Sequence, residues 1–348
     1  MLNLVGLTGL HQRRRRAARP DVGSGIVGAC AIHLLHLATP GLAAKVGVRH
    51  HHLVEGRAMR DNRPFCLAIG TSDSSGATGI QSDLKTFTSL DCYGAAIVTS
   101  VQAQSMSSVR DRSVLPDTSV RAQLEAVCED LKPTAIKVGL CPSVGHIRIV
   151  ARWLRERREA IVVVDPVAAD SRGIPVVEPE VIDALRRELL PLATIITPNR
   201  AQAALLLGLG DDLLGQREVE AAANALFKTF GAPVVITDGG AGGDCRDVLV
   251  GLDGMRHFEA VDYPRNSVQG RSSTFSAAMT ALLARGDGLR EAVLGARLYV
   301  AAAIAAAPDY NHKRNPLWHA VPPPEATEKA TKAWKRQISG EWTVPTDG

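Results

Sequence analysis

Closely paired cysteines are missing from this sequence of 348 residues. Its six cysteines are scattered along the chain, and no two of them form a CxxC pair. Structural zinc sites need closely spaced cysteines, and disulfide frameworks belong mainly to small secreted chains. The spacing therefore favours reduced thiols in a cytoplasmic protein over disulfides or a zinc site.

A hydrophobic run long enough to cross a bilayer is also missing. The apolar stretch Gly25–Ala38 is short and is interrupted by His33 and His36, whereas a spanning helix needs about 20 apolar residues.

A basic surface for nucleic acid is missing too. Residues 1–60 hold nine Arg and Lys against two acids, a net charge of +7, and the total of +4 leaves about −3 for residues 61–348. The sequence thus predicts no membrane and no nucleic acid as partner.

The first 60 residues differ from the rest in composition. Arg13–Arg16 precede the apolar stretch, and this Arg-rich start with few acids resembles an organellar transit peptide and, more loosely, a secretory signal. We favour a simpler interpretation, a disordered extension or sequence upstream of the true start, with Met59 as an alternative initiator. The predicted divisions of the chain are an extension over 1–60, one domain over 64–320 and a polar tail over 321–348.

From Pro64 onward, short apolar runs alternate with longer helical stretches. Hydrophobic residues make up 45% and charged residues 22% of the chain, which is the balance of a globular protein with a core. The alternation is typical of βαβ units, so the sequence predicts an α/β fold with a mainly parallel central sheet. The predicted strands are Phe65–Ile69, Ala95–Val101, Ala135–Val138, Ile161–Val164, Thr194–Thr197 and Pro233–Thr237. The predicted helices are Gly79–Ser89, Ser119–Leu131, Val144–Arg158, Glu178–Leu190, Arg217–Phe230, Thr274–Arg285 and Leu289–Ala306.

Small and polar residues follow five of these strands. They are Gly70–Asp73 after the first, Gly139 after the third, Asp165-Pro166 after the fourth, Pro198-Asn199 after the fifth and Asp238–Gly240 after the sixth. Ligands of a parallel α/β sheet bind outside the carboxyl ends of its strands. These residues therefore predict a binding crevice along one edge of the sheet.

The two commonest nucleotide-binding motifs are absent. The chain has no GxxxxGK[ST] loop and no GxGxxG after its first strand. Instead, the run Gly270-Arg271-Ser272-Ser273-Thr274 leads into a predicted helix. The free backbone N–H groups of such a helix start suit an anion, and N-capping by Ser272 or Ser273 explains the same residues equally well. The local sequence leaves both interpretations open.

A long motif after the first strand carries a family resemblance. Ile69–Phe87 reads IGTSDSSGATGIQSDLKTF and resembles the opening motif of the hydroxymethylpyrimidine/phosphomethylpyrimidine kinases. Further matches follow in the family's order and spacing: Tyr93-Gly94, Val98-Thr99, Ala103-Gln104, Lys137-Val138-Gly139, Val164–Val167, Leu189–Pro191, Thr197–Asn199 and Arg265-Asn266. The chain is identified as a member of this family over about residues 64–320. The resemblance implies a ribokinase-like fold with three layers, α/β/α.

The resemblance also implies an activity. Members transfer the γ-phosphoryl group of ATP, with Mg²⁺, to 4-amino-5-hydroxymethyl-2-methylpyrimidine or its monophosphate in thiamin biosynthesis, and many relatives are homodimers. The residues that match the pyrimidine slot are Asp73, Thr78, Gln104, Leu140 and Val167. The residues that match the anion hole are Gly270, Ser272 and Ser273, with Ser273 at the position of the base. The residues that match the ATP and phosphate site are Asp165, Asn199, Gln202, Asp238 and Gly239, with Asp165 and Gln202 in indirect contact with the metal.

Several phosphate-facing residues depart from the family pattern. Ser273 stands where the family has a cysteine, Ser272 replaces a glycine, Gln202 replaces a glutamate and Asp238 replaces a lysine. A serine hydroxyl is a poor base unless a neighbour activates it, and an acid beside a triphosphate repels it. The sequence therefore predicts a kinase with impaired phosphoryl transfer.

Compensation and two other functions stay open at this point. Arg271 or Arg172 is a candidate to supply new positive charge near the phosphates. One alternative is a non-catalytic pyrimidine-binding or regulatory protein that has kept the slot and lost the chemistry. The other is a pyridoxal-type vitamin kinase, because the superfamily uses this scaffold for several flat heteroaromatic alcohols.

Overall fold

The computed structural model describes residues 63–170, 174–209, 213, 215–237, 246–258, 268–310 and 314–323. The predictions made for residues 1–60, for Arg172, Asp238 and Gly239, and for residues 324–348 of the tail lie outside the described residues. Within the described part of the chain, no helix combines the length and the apolar character that crossing a membrane requires.

Nine strands of the described residues form one sheet. In chain order they are β1 (Phe65–Asp73), β2 (Tyr93–Gln104), β3 (Val109–Val114), β4 (Ala135–Val138), β5 (Ile161–Val164), β6 (Ile195–Ile196), β7 (Val234–Ile236), β8 (Asp247–Gly251) and β9 (Gly254–Phe258). Their spatial order is β3-β2-β1-β4-β5-β6-β7-β8-β9. The six strands from β2 to β7 in this order are parallel, and β3, β8 and β9 are added by antiparallel pairing. A separate parallel pair joins β10 (Val268–Gln269) to β11 (Asn315–Pro316).

Helices cover both faces of the sheet. They are α1 (Gly79–Ser89), α2 (Asp117–Asp130), α3 (Val144–Arg155), α4 (Pro179–Ala184), α5 (Arg200–Leu207), α6 (Gln216–Phe230), α7 (Arg271–Ala284) and α8 (Leu289–Ala305). Alternate side chains of β1 point to opposite faces, so Leu67 and Ile69 join one core and Cys66 and Ala68 join the other. The first core packs α2 to α6, and the second packs α1, α7 and α8. The predicted α/β architecture with three layers is confirmed.

The predicted helix Glu178–Leu190 is wrong in its second half. The α-helix ends at Ala184, and a π-helical turn, Leu185–Leu189, and a 3₁₀ turn, Leu190–Leu192, continue the chain. Pro191 has no N–H to donate, and its ring crowds the carbonyl four residues earlier. The regular hydrogen-bond ladder therefore cannot continue through Pro191.

Six elements were not predicted: the strands β3, β8, β9, β10 and β11 and the helix α5. The sequence of β3 is VRDRSV, and β3 is an exposed strand at the edge of the sheet. Because its centre is charged, the sequence lacks the apolar pattern that would have predicted a strand. Charged residues on an edge are a usual protection against unwanted strand pairing. The helix α5 is short and starts directly after Pro198-Asn199, a pair that also fits a turn.

The parallel strands bring the predicted site residues to one edge. Asp73 ends β1, Leu140 follows β4, Asp165 and Val167 follow β5, and Asn199 follows β6. Since β1, β4, β5 and β6 are parallel neighbours, their carboxyl ends lie side by side. The residues predicted to line a binding crevice therefore share this edge, and the crevice itself stays a prediction.

Candidate active site

Asp73 organises the turn between β1 and α1. This carboxylate is 1% exposed. Its Oδ1 accepts hydrogen bonds from the backbone N–H and the hydroxyl of Ser75, at 2.8 and 2.7 Å, and its Oδ2 accepts from the N–H and the hydroxyl of Thr78, at 2.9 and 2.7 Å. These four hydrogen bonds tie Ser75 and Thr78 to the end of β1, so Asp73 holds the turn 73–79 in place. Direct contact between Asp73 and a substrate stays a prediction.

Gln104 is anchored to the same turn from the end of β2. Its Nε2 donates to Asp73 Oδ2 at 3.2 Å and to Thr78 Oγ1 at 3.3 Å. Its backbone N–H donates to Ser74 Oγ at 2.9 Å, and that hydroxyl donates to the Gln104 carbonyl at 3.0 Å. The three polar residues predicted for the pyrimidine slot therefore form one hydrogen-bonded group.

The predicted apolar wall comes from the next two strands. Leu140 is buried just after β4, where its carbonyl accepts the Thr99 hydroxyl at 2.7 Å. Val167 is half-buried just after β5, and its N–H donates to the Asp165 carbonyl at 2.8 Å. Both lie at the edge of the sheet that carries the 73–79 turn.

The start of α7 rests directly on this turn. Gly270 has a φ of +101°, a conformation that favours glycine, and a Cβ on Gly270 would lie 2.0 Å from the carbonyl oxygen of Ala77. No other residue fits this close approach without moving the backbone. The segment predicted as the anion hole is therefore in contact with the segment predicted to hold the pyrimidine.

Ser272 and Ser273 do not cap α7. The N-cap is Gly270, which has no side chain to offer, and both serines lie in the first turn of the helix. The N-capping interpretation of these serines is thus wrong. The first N–H to enter the helical ladder is that of Thr274, which donates to the Gly270 carbonyl at 2.9 Å. The N–H groups of residues 271–273 precede that ladder, which is the arrangement that suits an anion.

Beneath the first turn of α7 lies a buried ion pair that the sequence analysis did not single out. Lys137 of β4 is 2% exposed and forms a salt bridge with Asp83 of α1, which is equally buried. Lys137 Nζ also donates to Ser273 Oγ at 3.0 Å and to the Ser273 carbonyl at 3.2 Å. Ser273 Oγ in turn donates to Asp83 Oδ1 at 3.1 Å. The residue at the predicted base position is therefore held between a buried cation and a buried carboxylate.

A second buried carboxylate, Asp165, lies next to this group. Ser276 Oγ donates to its Oδ2 at 2.9 Å, while its Oδ1 has no partner among the described residues. Burial raises the pKa of both Asp83 and Asp165, and the nearby Lys137 opposes that rise in each case. Removing these carboxylates from water disfavours their charged form.

Asn199 and Gln202 occupy the start of α5 as a capping box. Asn199 Oδ1 accepts from the N–H of Gln202 at 2.8 Å, and Gln202 Oε1 accepts from the N–H of Asn199 at 2.9 Å. Asn199 also forms a parallel bridge with Thr237 at the end of β7, where Thr237 N–H donates to the Pro198 carbonyl at 3.0 Å. Sequence reasoning assigned the two side chains to phosphate and metal. The structure gives them a role in the helix cap, and their ligand contacts stay a prediction.

A second polar cluster joins α1 and α7. His319 Nε2 lies 3.2 Å from Ser82 Oγ and 3.0 Å from Thr274 Oγ1, and the two hydroxyls are 3.1 Å apart. Burial, with a smaller contribution from Lys85, lowers the pKa of His319 to about 4. The imidazole is therefore neutral at pH 7, and it fixes α7 to α1 through hydrogen bonds alone.

Comparisons with known proteins show the family to which this chain belongs. The family model "Phosphomethylpyrimidine kinase" matches residues 73–318. The hydroxymethylpyrimidine/phosphomethylpyrimidine kinase of Rhizobium meliloti (strain 1021) is 38% identical over 262 residues, which cover 73% of this chain and 96% of that protein.

Solved structures agree with this assignment. The phosphomethylpyrimidine kinase of Clostridium difficile 630 has a TM-score of 0.62 and 31% identity, covering 70% of this chain and 100% of that one. An ADP complex of Bacillus subtilis pyridoxal kinase has a TM-score of 0.68 and 32% identity, covering 74% and 98%. The fold is thus that of the ribokinase-like vitamin kinases. Within that class, this chain belongs to the phosphomethylpyrimidine kinase family.

Asp83 and Lys137 are the functional candidates that sequence reasoning missed. Both lie inside the motifs that carried the resemblance, but neither was weighed for itself. The available signal was Lys137 in the apolar strand Ala135–Val138, because a charged side chain in a strand buried on both faces needs a partner. The identity of that partner depends on how β4 meets α1 and α7.

Proposed function

We propose that this chain transfers the γ-phosphoryl group of ATP to the hydroxymethyl group of 4-amino-5-hydroxymethyl-2-methylpyrimidine and of its monophosphate. One observation carries the proposal: the turn 73–79 and the helix start 270–273 are packed against each other at Ala77 and Gly270. A pyrimidine on the turn and a phosphate at the helix start would thus be neighbours. Placing the acceptor hydroxyl beside the moving phosphoryl group is the main requirement of this reaction.

Each side of the site has a separate task. Gln104 and Thr78 offer amide and hydroxyl groups to the polar edge of the pyrimidine, and Leu140 and Val167 offer apolar contact to its ring. Gly270 and the backbone N–H groups of residues 271–273 stabilise the negative charge of the transferring group. Ser273 lies at the position that receives the proton of the acceptor hydroxyl.

The proposal includes Mg²⁺, which neutralises phosphate charge when it is bound with ATP. Asp165 fits that role because it offers a carboxylate oxygen without a partner among the described residues, and hard cations prefer such ligands. Gln202 fits less well, since its amide oxygen already accepts the N–H of Asn199. Asp165 is therefore the candidate for the metal side of the site, with Asn199 holding the neighbouring helix start.

The test is ADP release by the full chain in the presence of ATP, Mg²⁺ and hydroxymethylpyrimidine. Turnover with this pyrimidine, and a lower kcat/KM for pyridoxal, is the expected result. Pyrimidine binding without ADP release would identify a non-catalytic relative instead. A preference for pyridoxal would make the chain a vitamin B6-type kinase.

The Gln104→Ala variant separates substrate binding from chemistry. We expect the KM for hydroxymethylpyrimidine to rise by about tenfold or more, because a hydrogen bond to the ring is worth roughly 1 to 2 kcal/mol. The KM for ATP and the kcat should stay within about threefold, since Gln104 holds no residue of α7. A rise in both KM values would instead show that Gln104 supports the site as a whole.

Homodimerisation through the β3 edge is part of the proposal. Three valines of the β2–β3 hairpin, Val101, Val109 and Val114, are 45 to 48% exposed, and β3 leaves its outer edge unpaired in the described sheet. Exposed apolar side chains beside an open edge are typical of an interaction surface. We expect Val109→Lys to convert a dimer into a monomer in light scattering after size exclusion. Leu252→Lys, at the turn between β8 and β9 at the other end of the sheet, is the matched control and should leave the mass unchanged.

A further inference from the structure

The serine at the base position is not an isolated hydroxyl. Its Oγ accepts a hydrogen bond from Lys137 Nζ at 3.0 Å and donates one to Asp83 Oδ1 at 3.1 Å, while Lys137 and Asp83 pair directly with each other. All donors and acceptors of Ser273 Oγ except one lone pair are thus engaged. Ser273 is half-buried, so this remaining lone pair is left for an acceptor hydroxyl.

We propose that Ser273, Asp83 and Lys137 act as one proton relay, in which the Ser273 hydroxyl passes the proton of the acceptor alcohol on to Asp83. The proposal rests on the proposed kinase function. Ser273 is the catalytic residue because it contacts the reacting alcohol. Asp83 and Lys137 act through Ser273 and are positioning residues.

The atoms and charges of this step balance. The hydroxymethyl oxygen forms a bond to the γ-phosphorus as the bond from that phosphorus to the bridging oxygen of ADP breaks. The hydroxymethyl proton moves to Ser273 Oγ while the Ser273 proton moves to Asp83 Oδ1. Lys137 takes no part in the proton transfer, and Asp83 releases the extra proton to solvent when the products leave.

Local electrostatics favour Asp83 as the end of the relay. Burial raises the pKa of Asp83, the pairing with Lys137 limits that rise, and the nearby Asp165 adds to it. A carboxylate with a raised pKa is a better proton acceptor than a carboxylate in water. Lys137, which donates to Ser273 Oγ and pairs with Asp83, offsets the charge that develops on that hydroxyl during the transfer.

This relay accounts for the cysteine-to-serine change at position 273. A hydroxyl of ordinary acidity cannot hold a proton as a base, but a hydroxyl in a relay needs only to exchange one proton for another. A purely structural ion pair is the competing hypothesis, because Asp83, Lys137 and Ser273 also join α1, β4 and α7. The two hypotheses differ in whether the single substitutions lower kcat at unchanged KM and in how those losses combine.

The first experiment is a double-variant cycle on kcat with Ser273→Ala and Asp83→Asn. We expect each single variant to lower kcat by about 100-fold, with KM values for both substrates within about threefold. The double variant should lose no more than the single variants, because either change breaks the same relay. Losses that multiply, or single variants that keep the wild-type kcat, would overturn the relay while leaving the kinase function in place.

The second experiment needs no kinase activity. In the Ser273→Cys chain, alkylation of Cys at position 273 by iodoacetamide is followed against pH, with the modified peptide identified by mass spectrometry. We expect Asp83→Asn to lower the pKa of this thiol and Lys137→Met to raise it, each by about one unit, since each removes one charge in direct contact. Ser107→Ala, in the exposed loop after β2, is the control and should change nothing.

The two experiments separate the two proposals. Wild-type protein that makes no ADP, with a thiol that responds to Asp83 and Lys137, overturns the kinase function and supports the coupling of the three side chains. If neither Asp83→Asn nor Lys137→Met changes the pKa of the thiol at position 273, the relay is overturned, whether or not the wild-type protein is active. Circular dichroism of each variant identifies any that fails to fold. If Lys137→Met fails to fold, Lys137→Arg takes its place. Arginine keeps the positive charge, so the thiol pKa should then stay close to that of the Ser273→Cys chain.

Discussion

Gly270→Ala is expected to lower the free energy of unfolding by about 2 to 5 kcal/mol and kcat by about 100-fold. A side chain at a φ of +101° costs roughly 1 to 2 kcal/mol, and the new Cβ would lie 2.0 Å from the Ala77 carbonyl oxygen. Relieving that contact requires the turn 73–79 or the start of α7 to move, which adds about 1 to 3 kcal/mol as overpacking does elsewhere. A displacement of about 1 Å between the two substrates is enough to explain the loss of rate.

Gly286→Ala is the matched control for this variant. Gly286 has a φ of +96°, close to that of Gly270, but a Cβ there meets nothing within 4 Å. Urea unfolding should show only the backbone cost for Gly286→Ala, about 1 to 2 kcal/mol, with kcat unchanged. Equal losses of stability and rate in both variants would mean that the contact with Ala77 has no importance of its own.

The sequence predicted the sheet well because its interior strands are buried on both faces. Ala135–Val138 and Ile161–Val164 have the predicted bounds, since a short apolar run between polar residues is typical of a strand in the middle of a parallel sheet. The edge strand β3 was missed for the opposite reason. Its exposed, charged sequence lacks the apolar pattern, and only its pairing with β2 makes it a strand.

The candidate site was predictable where the family motif is local. The motif Ile69–Phe87 identified the turn that Asp73 organises, and the sequence alone did not show that this carboxylate serves mainly the turn itself. The Lys137–Asp83–Ser273 group could not be predicted from the sequence, because Lys137 is 54 residues from Asp83 and 136 residues from Ser273 along the chain. Contacts over such separations follow from the packing of α1 and α7 on one face of the sheet. The same holds for His319, which lies 237 residues from Ser82.

Acidification is expected to destabilise this protein through His319 between about pH 6.5 and pH 4. Burial lowers the pKa of His319 from 6.5 to about 4 in the folded chain. Above pH 6.5 the imidazole is neutral in both the folded and the unfolded chain, so the full stability is present. As the pH falls below 6.5, His319 becomes protonated in the unfolded chain but stays neutral in the folded chain. The free energy of unfolding therefore decreases until the pH reaches the pKa of His319 in the folded chain. The loss amounts to about 3 kcal/mol, since one pKa unit corresponds to about 1.4 kcal/mol.

His319→Gln isolates this contribution from that of the carboxylates. Glutamine keeps a polar group near Ser82 and Thr274 but cannot titrate. We expect the variant to have a lower free energy of unfolding than the wild type at pH 7. On acidification, its free energy of unfolding should fall by less than that of the wild type. The measurement is urea unfolding of both proteins from pH 7.5 to pH 4. The difference between their free energies of unfolding should shrink by about 3 kcal/mol across that range. Parallel curves for the two proteins would mean that His319 takes up its proton in the folded chain as readily as in water, and that the cluster joining α1 to α7 admits charge.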